Sequence, residues 1–244
     1  MSGSGVEELK GALAGRLAPL GLSIFGGFRI EHGDQAGMPD LAGAPALLVG
    51  NAGSRMWEAF ARSGEYRDGK ADPMNRWTQR VMEEVVRESG ADCRLLFPFG
   101  EVVWPFQRFA QRAIGVQQSP LGLFIHPHYG LWFALRAAIV FQGGGPAFEK
   151  VIQQVETEIH PCLSCVEKPC LTHCPVSAFS GSGFAVETCR SYLDSIQSSQ
   201  TDSSFSATAN CMDGGCAARN ACPVGADWRY GEAQLQFHMR AFKQ

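Results

Sequence analysis

Along the first 142 residues, apolar positions recur at helical spacing in some stretches and in strand-like runs in others. Val6 to Leu17 reads as a helix. Leu22 to Ile30 reads as a strand with glycines inside it, and Ala46 to Val49 as a short apolar strand. Ser54 stands where an N-cap belongs, before a helix over Met56 to Ala61. Asp72 would cap a longer helix from Pro73 to Glu88, with Trp77, Val81, Val85 and Val86 roughly on one face. Pro73 suits the first helical position, where its missing N–H costs nothing. Leu95 to Phe97 predicts a strand and Phe106 to Ile114 a helix. Leu121 to Ile125 and Leu131 to Phe141 predict two buried strands flanking His126-Pro-His-Tyr-Gly130. Such alternation predicts an α/β or α+β layered domain.

The composition then changes. Residues 1–155 hold only Cys93, whereas residues 160–224 hold the other eight cysteines. This predicts a larger domain over 1–155 and a small cysteine-rich one over 156–244. Within the latter, the serine-rich stretch Ser195 to Ser206 reads as a polar loop. Gly143 to Gly145 also reads as a loop, since no G-x-G-x-x-G pattern follows a strand there.

Charge narrows the function classes. Charged residues are 18% of the chain, net charge is −3, the isoelectric point is near 6.1, and no basic run occurs. A nucleic-acid partner is not expected, because phosphate contacts need an excess of Lys and Arg. The N-terminus lacks the charged and apolar regions of a secretory signal, and no window of eighteen apolar residues occurs. The expectation is a cytoplasmic protein with no membrane partner. Clustered cysteines in a reducing compartment are metal ligands or redox groups more often than disulfides.

Their spacing is informative. The first run is Cys162-Leu-Ser-Cys165-Val-Glu-Lys-Pro-Cys170-Leu-Thr-His-Cys174-Pro175. It matches the bacterial ferredoxin pattern C-x2-C-x2-C-x3-C-P except for two extra residues between its second and third cysteines. The second run is Cys211-x4-Cys216-x5-Cys222-Pro223, with Cys189 upstream. The runs end alike, Cys174-Pro-Val-Ser-Ala178 and Cys222-Pro-Val-Gly-Ala226, which is an internal repeat. In two-cluster ferredoxins the cysteine before the proline serves the other cluster. Crossing the two gives one quartet of Cys162, Cys165, Cys170 and Cys222, and a second of Cys174, Cys189, Cys211 and Cys216. Zinc knuckles would favour two C-x2-C pairs, and only one is present. The expected cofactors are therefore two [4Fe–4S] clusters. Cys93, beside Leu95, Leu96 and Phe97, reads as a small buried hydrophobe.

The stretch Ser119-Pro-Leu-Gly-Leu-Phe-Ile-His126-Pro-His-Tyr-Gly-Leu-Trp132-Phe-Ala-Leu-Arg136 resembles cobalamin-processing proteins of the cblC type. In that family a similar stretch lies in the corrinoid-binding region, and Asp72-Pro73 before a helix also looks like it. The resemblance covers roughly residues 40–142. It implies a nitroreductase-like (cblC-like) α+β domain joined to a small two-cluster ferredoxin-like domain. It also implies cobalamin as a cofactor, held base-off near Gln118, Ser119, Leu121, Gly122, Ile125, His126, Pro127, Tyr129, Gly130 and Trp132. The residues alone admit a plainer reading, in which His126-Pro127 is a turn with a hydrogen-bonded core histidine and Trp132 is core.

The pairing of such domains resembles epoxyqueuosine reductase, whose cluster region has an isolated Cys before a Ser-Tyr-Leu-like segment, here Cys189-Arg-Ser-Tyr-Leu193. That likeness places Cys189 among the ligands. The corresponding catalytic Asp is missing from Gly100-Glu-Val-Val-Trp-Pro105, and the helical-repeat extension is absent, so a tRNA substrate is not expected. Reductive dehalogenases share the domain pair but carry a twin-arginine signal that this chain lacks. The implied function is an oxidoreductase that reduces the cobalt of a bound corrinoid, with a flavoprotein or ferredoxin as electron donor. The alternative is a ferredoxin-like electron carrier without corrinoid. Glu101, His126, His128 and Tyr129 are the candidate general acids on chemistry alone. Anaerobically purified protein is expected to be brown, with about eight iron and eight sulfide per chain. Stoichiometric zinc without visible absorption would refute the cluster reading.

Overall fold

The computed structural model describes residues 3–34, 38–142, 148, 152, 159–180, 183–199 and 210–243. Contacts divide the chain into two compact units: Met1–Gly115 with Phe133–Glu158, and Val116–Trp132 with Ile159–Gln244. The division does not follow a single cut near residue 155. The segment 116–132, which carries most of the corrinoid resemblance, packs with the cysteines.

The first unit is built on a four-stranded sheet in the order β1-β2-β6-β3, with β1 Ser23–Arg29, β2 Pro45–Ala52, β3 Cys93–Leu96 and β6 Phe133–Phe141. All pairings are antiparallel, which resolves the α/β or α+β alternative in favour of α+β. β2 is buried along its whole length because it lies between β1 and β6. That is why Pro45-Ala-Leu-Leu-Val-Gly-Asn-Ala52 shows an apolar run rather than alternation. α4, Pro73–Ser89, buries Met74, Trp77, Val81 and Val85, with Thr78 and Met82 between them. The three-four spacing of these side chains is the helical stripe expected of a packed surface helix. It ends at Gly90, whose φ of 66° places it in the left-handed cap position. α1, Gly3–Leu17, contacts α4, and α5, Phe106–Ile114, contacts β1.

Several expectations at element ends need correction. Asp72 sits at the N-cap position of α4, but its side chain makes no cap hydrogen bond. It has φ 49°, a left-handed conformation outside the extended region usual before a proline. The cap of α2, Trp57–Ala61, is Met56 and not Ser54, whose carbonyl accepts from Trp57 N. Ser63 is the true side-chain cap nearby, accepting from Tyr66 N at the start of α3, Gly64–Arg67. The serine-rich stretch is helical at its start, inside α8, Val186–Ser199. Its remainder lies outside the described residues, as do Gly143, Gly144 and Gly145. Among the described residues no helix is long and apolar enough to cross a membrane.

The seat of α5 on β1 depends on Gly26. A Cβ there would lie 2.1 Å from the backbone oxygen of Ala113. Gly26→Ala should therefore destabilise the first unit by about 1–3 kcal/mol through overpacking, read as a lower thermal midpoint. An unchanged midpoint would mean that α5 can shift at no cost.

Candidate metal centres

The second unit carries two longer helices, α8 and α11, Glu232–Lys243, and otherwise only short elements. It holds two-stranded ladders, β4 Gln117–Gln118 with β5 Phe124–Ile125 and β7 Phe179–Ser180 with β8 Gly183–Phe184. The long strand expected over Leu121 to Ile125 shrinks to these last two residues, because Ser119 to Gly122 form a tight turn closed by Gly122 N–H on Ser119 O. Four helices have only four residues each: α6 Pro161–Ser164, α7 Pro169–Thr172, α9 Cys211–Gly214 and α10 Ala217–Asn220. Helices this short do not persist alone. Their packing supports them, and the core they share includes cysteines: Leu121, Ile125, Leu131 and Ala218 are buried with Cys170 and Cys222.

All nine cysteines are free thiols. Cys162, Cys165, Cys170 and Cys222 line one cleft with Ile125, Lys168, Pro169 and Val224. Burial, and then the negative charges of Cys222, Cys170 and Cys165, push the Cys162 thiol up to about 11. Cys170 is raised by burial, then by Cys222 and Cys165, and Cys222 by burial and by Cys165. The remaining four are linked in the same way. Burial, and then Cys216, Cys174 and Cys211, take Cys189 up to about 11. Cys211 and Cys216 are raised by burial and both feel Cys174. Cys93 is raised to about 11 by burial and then by Asp92, and it belongs to the other unit.

Each group also gathers donors that favour thiolate. Ala178 N–H donates to Cys174 Sγ at 3.3 Å. Cys216 accepts from the backbone of Ala218 and Arg219, Cys211 from Ala217, and Cys222 from Val224. The Tyr192 hydroxyl donates to Cys211, so the Cys189-Arg-Ser-Tyr192 segment supplies a hydrogen bond besides its thiol. A single tetrahedral zinc ion needs sulfurs about 2.3 Å from one point. Among the described residues no group of three or more His, Cys, Asp or Glu is arranged to hold one ion. A four-iron cluster places one thiolate on each iron, a wider requirement. Two sets of four thiols with backbone donors suit that chemistry.

His160 is a residue that spacing did not single out. Its Nδ1 accepts from Cys162 N–H at 3.2 Å, capping α6. Its Nε2 lies 3.0 Å from Gln118 O, and with Nδ1 accepting, Nε2 is the donor. His160 thus ties the loop of the first quartet to β4.

The stretch expected to face a corrinoid lies beside this quartet. His126 and Gly130 close a turn by two backbone hydrogen bonds of 2.9 and 2.8 Å. Inside it, His126 Nδ1 accepts from His128 N at 3.0 Å and Tyr129 N at 3.3 Å. Burial and the neighbouring His128 lower the His126 pKa to about 4, so the ring is neutral at physiological pH. Gly130 has φ 58°, and a Cβ there would lie 1.9 Å from Val224 O. The turn therefore meets the Cys222-Pro-Val-Gly225 loop backbone to backbone. Leu121, Ile125 and Trp132 are buried, Gln118 and Gly122 are exposed, and His126, Pro127 and Tyr129 are half-buried. Ser119 Oγ and Trp132 Nε1 are buried without a hydrogen-bond partner among the described residues. Of the candidate acids, His126, His128 and Tyr129 share this turn, whereas Glu101 is exposed in the other unit.

No protein-family model matches the chain, and no curated protein matches its sequence. Solved structures do match. The B12-trafficking protein CblC of C. elegans, a homologue of human MMACHC, superposes with a TM-score of 0.56 at 16% identity. That match covers 99% of this chain and 94% of CblC. An epoxyqueuosine reductase in complex with an epoxyqueuosine-modified tRNA-Tyr stem loop gives a TM-score of 0.47 at 16% identity, over 93% of this chain and 67% of that one. Epoxyqueuosine reductase from Bacillus subtilis gives 0.46 at 18% identity, over 93% and 66%. The CblC likeness establishes a shared mixed helix-and-sheet fold. The two reductase likenesses are too distant to add to it.

The thiol grouping makes a specific prediction. Cys222→Ala should damage the same cluster as Cys162→Ala, although sixty residues separate them. EPR or Mössbauer spectra showing that Cys222→Ala instead harms the cluster affected by Cys174→Ala would refute the crossed assignment.

Proposed function

We propose that this chain is a cobalamin-binding iron–sulfur redox protein. In this reading Cys162, Cys165, Cys170 and Cys222 hold one [4Fe–4S] cluster, and Cys174, Cys189, Cys211 and Cys216 hold another. The observation that carries the reading is the crossed grouping, in which the cysteine closing each run joins the quartet of the other. Such clusters supply single electrons at low potential, tuned by charge, hydrogen bonds and exposure.

The corrinoid half of the proposal rests on the resemblance around His126 and on the CblC fold, since CblC is a B12-trafficking protein. The unpartnered Ser119 Oγ and the exposed Gln118 offer polar groups to the amides on a corrin rim. His126 holds its turn through Nδ1 and keeps it neutral. The turn packs on the loop of Cys222, so a ligand at its surface would lie near the first quartet. The expected activity is reduction of corrinoid cobalt, as in reductive decyanation or dealkylation, or a cobalamin-dependent reductase step. A ferredoxin-like carrier without corrinoid is the second reading, favoured by the burial of Leu121, Ile125 and Trp132 within the unit's own core.

Incubating the purified protein with hydroxocobalamin separates the two. The first reading expects about one cobalamin retained per chain, with the visible spectrum of the base-off form. His126→Asn, which keeps an acceptor for the turn, should weaken retention about tenfold, ~1.4 kcal/mol, with iron content unchanged. No retention by wild type would leave the carrier reading. Unchanged retention by the variant would remove His126 from the site.

A further inference from the structure

Arg219 occupies an unusual environment. Its guanidinium carbon lies 4.3 Å from the ring centroid of Trp132 and 4.8 Å from that of Tyr230. The two rings meet edge to face at 5.3 Å, and Tyr230 is buried. One guanidinium nitrogen donates to Leu131 O. Nε is buried and has no hydrogen-bond partner among the described residues. Nor, among those residues, does any carboxylate form an ion pair with it. A half-buried guanidinium normally finds an anion, because desolvating an unpaired charge is costly. Here two aromatic faces and one carbonyl hold it, and they stabilise the cation without neutralising it.

One candidate anion is a cysteine of the second quartet. Cys216 immediately precedes α10, in which Arg219 lies, and the backbone N–H groups of Ala218 and Arg219 both point at its sulfur. The first quartet has cations too, Lys168 beside Cys162 and Arg229 beside Cys222, but both are exposed. Water and salt screen exposed charges far more than partly buried ones.

We propose that Arg219 is the fixed counter-cation of the second cluster and sets its reduction potential. The inference rests on the cluster reading above. Reduction adds one electron, and hence one negative charge, to a cluster already carrying four thiolates. A cation held nearby favours the more negative, reduced state and so raises the potential. Because the charge is local and sheltered, it acts on the cluster of Cys174, Cys189, Cys211 and Cys216 and not on the other. Arg219 is a positioning residue in this role, acting through Cys216 and touching no substrate.

The test is an EPR-monitored potentiometric titration of the anaerobic full-length protein, with wild type, Arg219→Lys and Arg219→Gln compared at matched iron content. Cys189→Ala, which deletes one second-quartet ligand, identifies which signal belongs to that cluster. In Arg219→Gln that signal should become at least about tenfold harder to reduce, a fall of ~59 mV for a one-electron couple. The other signal should stay in place, and Arg219→Lys should restore most of the loss. If neither signal moves, or both fall together, Arg219 is not the counter-cation. A wild type without any iron–sulfur signal would instead overturn the cluster reading, and the proposal with it.

Discussion

Eight thiols held in two groups of four oppose one another's ionisation, and the second unit is organised around that fact. Burial and neighbouring thiolate charge push up Cys162, Cys170, Cys189, Cys211, Cys216 and Cys222, with Cys162 and Cys189 reaching about 11. Unligated, the groups favour neutral thiols. A metal reverses this by taking the thiolates directly, and its binding energy then adds to folding. Metal would add to the packing of α8 and α11 on α9, since the unit's core counts Cys170 and Cys222 among its buried members and four of its helices are single turns. Structure and redox chemistry would thus depend on the same eight atoms.

The first unit follows ordinary rules. An antiparallel sheet is covered by amphipathic helices, and one of its tightest seats is Gly26 beneath α5. Among the described residues its buried charge is Asp34, paired with Arg112 and accepting from Glu31 N–H at 2.9 Å. Arg112 also lies over the rings of Phe28 and Phe109. The contrast with Arg219 is instructive. Both cations rest on aromatic faces, but Arg112 has its carboxylate within the unit, and Arg219 has a thiol as its neighbour.

The turn from His126 to Gly130 shows how a site residue can serve the fold first. His126 Nδ1 accepts two backbone N–H groups and so fixes the loop. Gly130 lets that loop meet Val224, next but one to Cys222, with no room for a side chain. The resemblance that marked this stretch for corrinoid and the packing that joins it to the first quartet involve the same few residues.

Much was legible in the sequence alone. Helical spacing gave α5 to the residue and α4 nearly so, because a periodic apolar face is a local property. The doubled Cys-Pro ending is where the crossed ligand assignment came from, because ligand spacing along a chain reflects how it wraps a compact object. Caps and short strands were less legible. Ser54 and Asp72 have the right chemistry for caps, but the cap position of α2 falls at Met56 and the Asp72 side chain makes no cap hydrogen bond. Some features depended wholly on tertiary contact. Residues 116–132 joined the cysteine unit, His160 bridged to Gln118, and Arg219 was enclosed by Trp132 and Tyr230. These partners lie between 11 and 87 positions apart. The sequence by itself determined which residues could bind metal and where periodic elements form, since both depend on near neighbours. Only the folded chain decided which polar groups lost water without gaining a partner, because burial is a property of the whole packing.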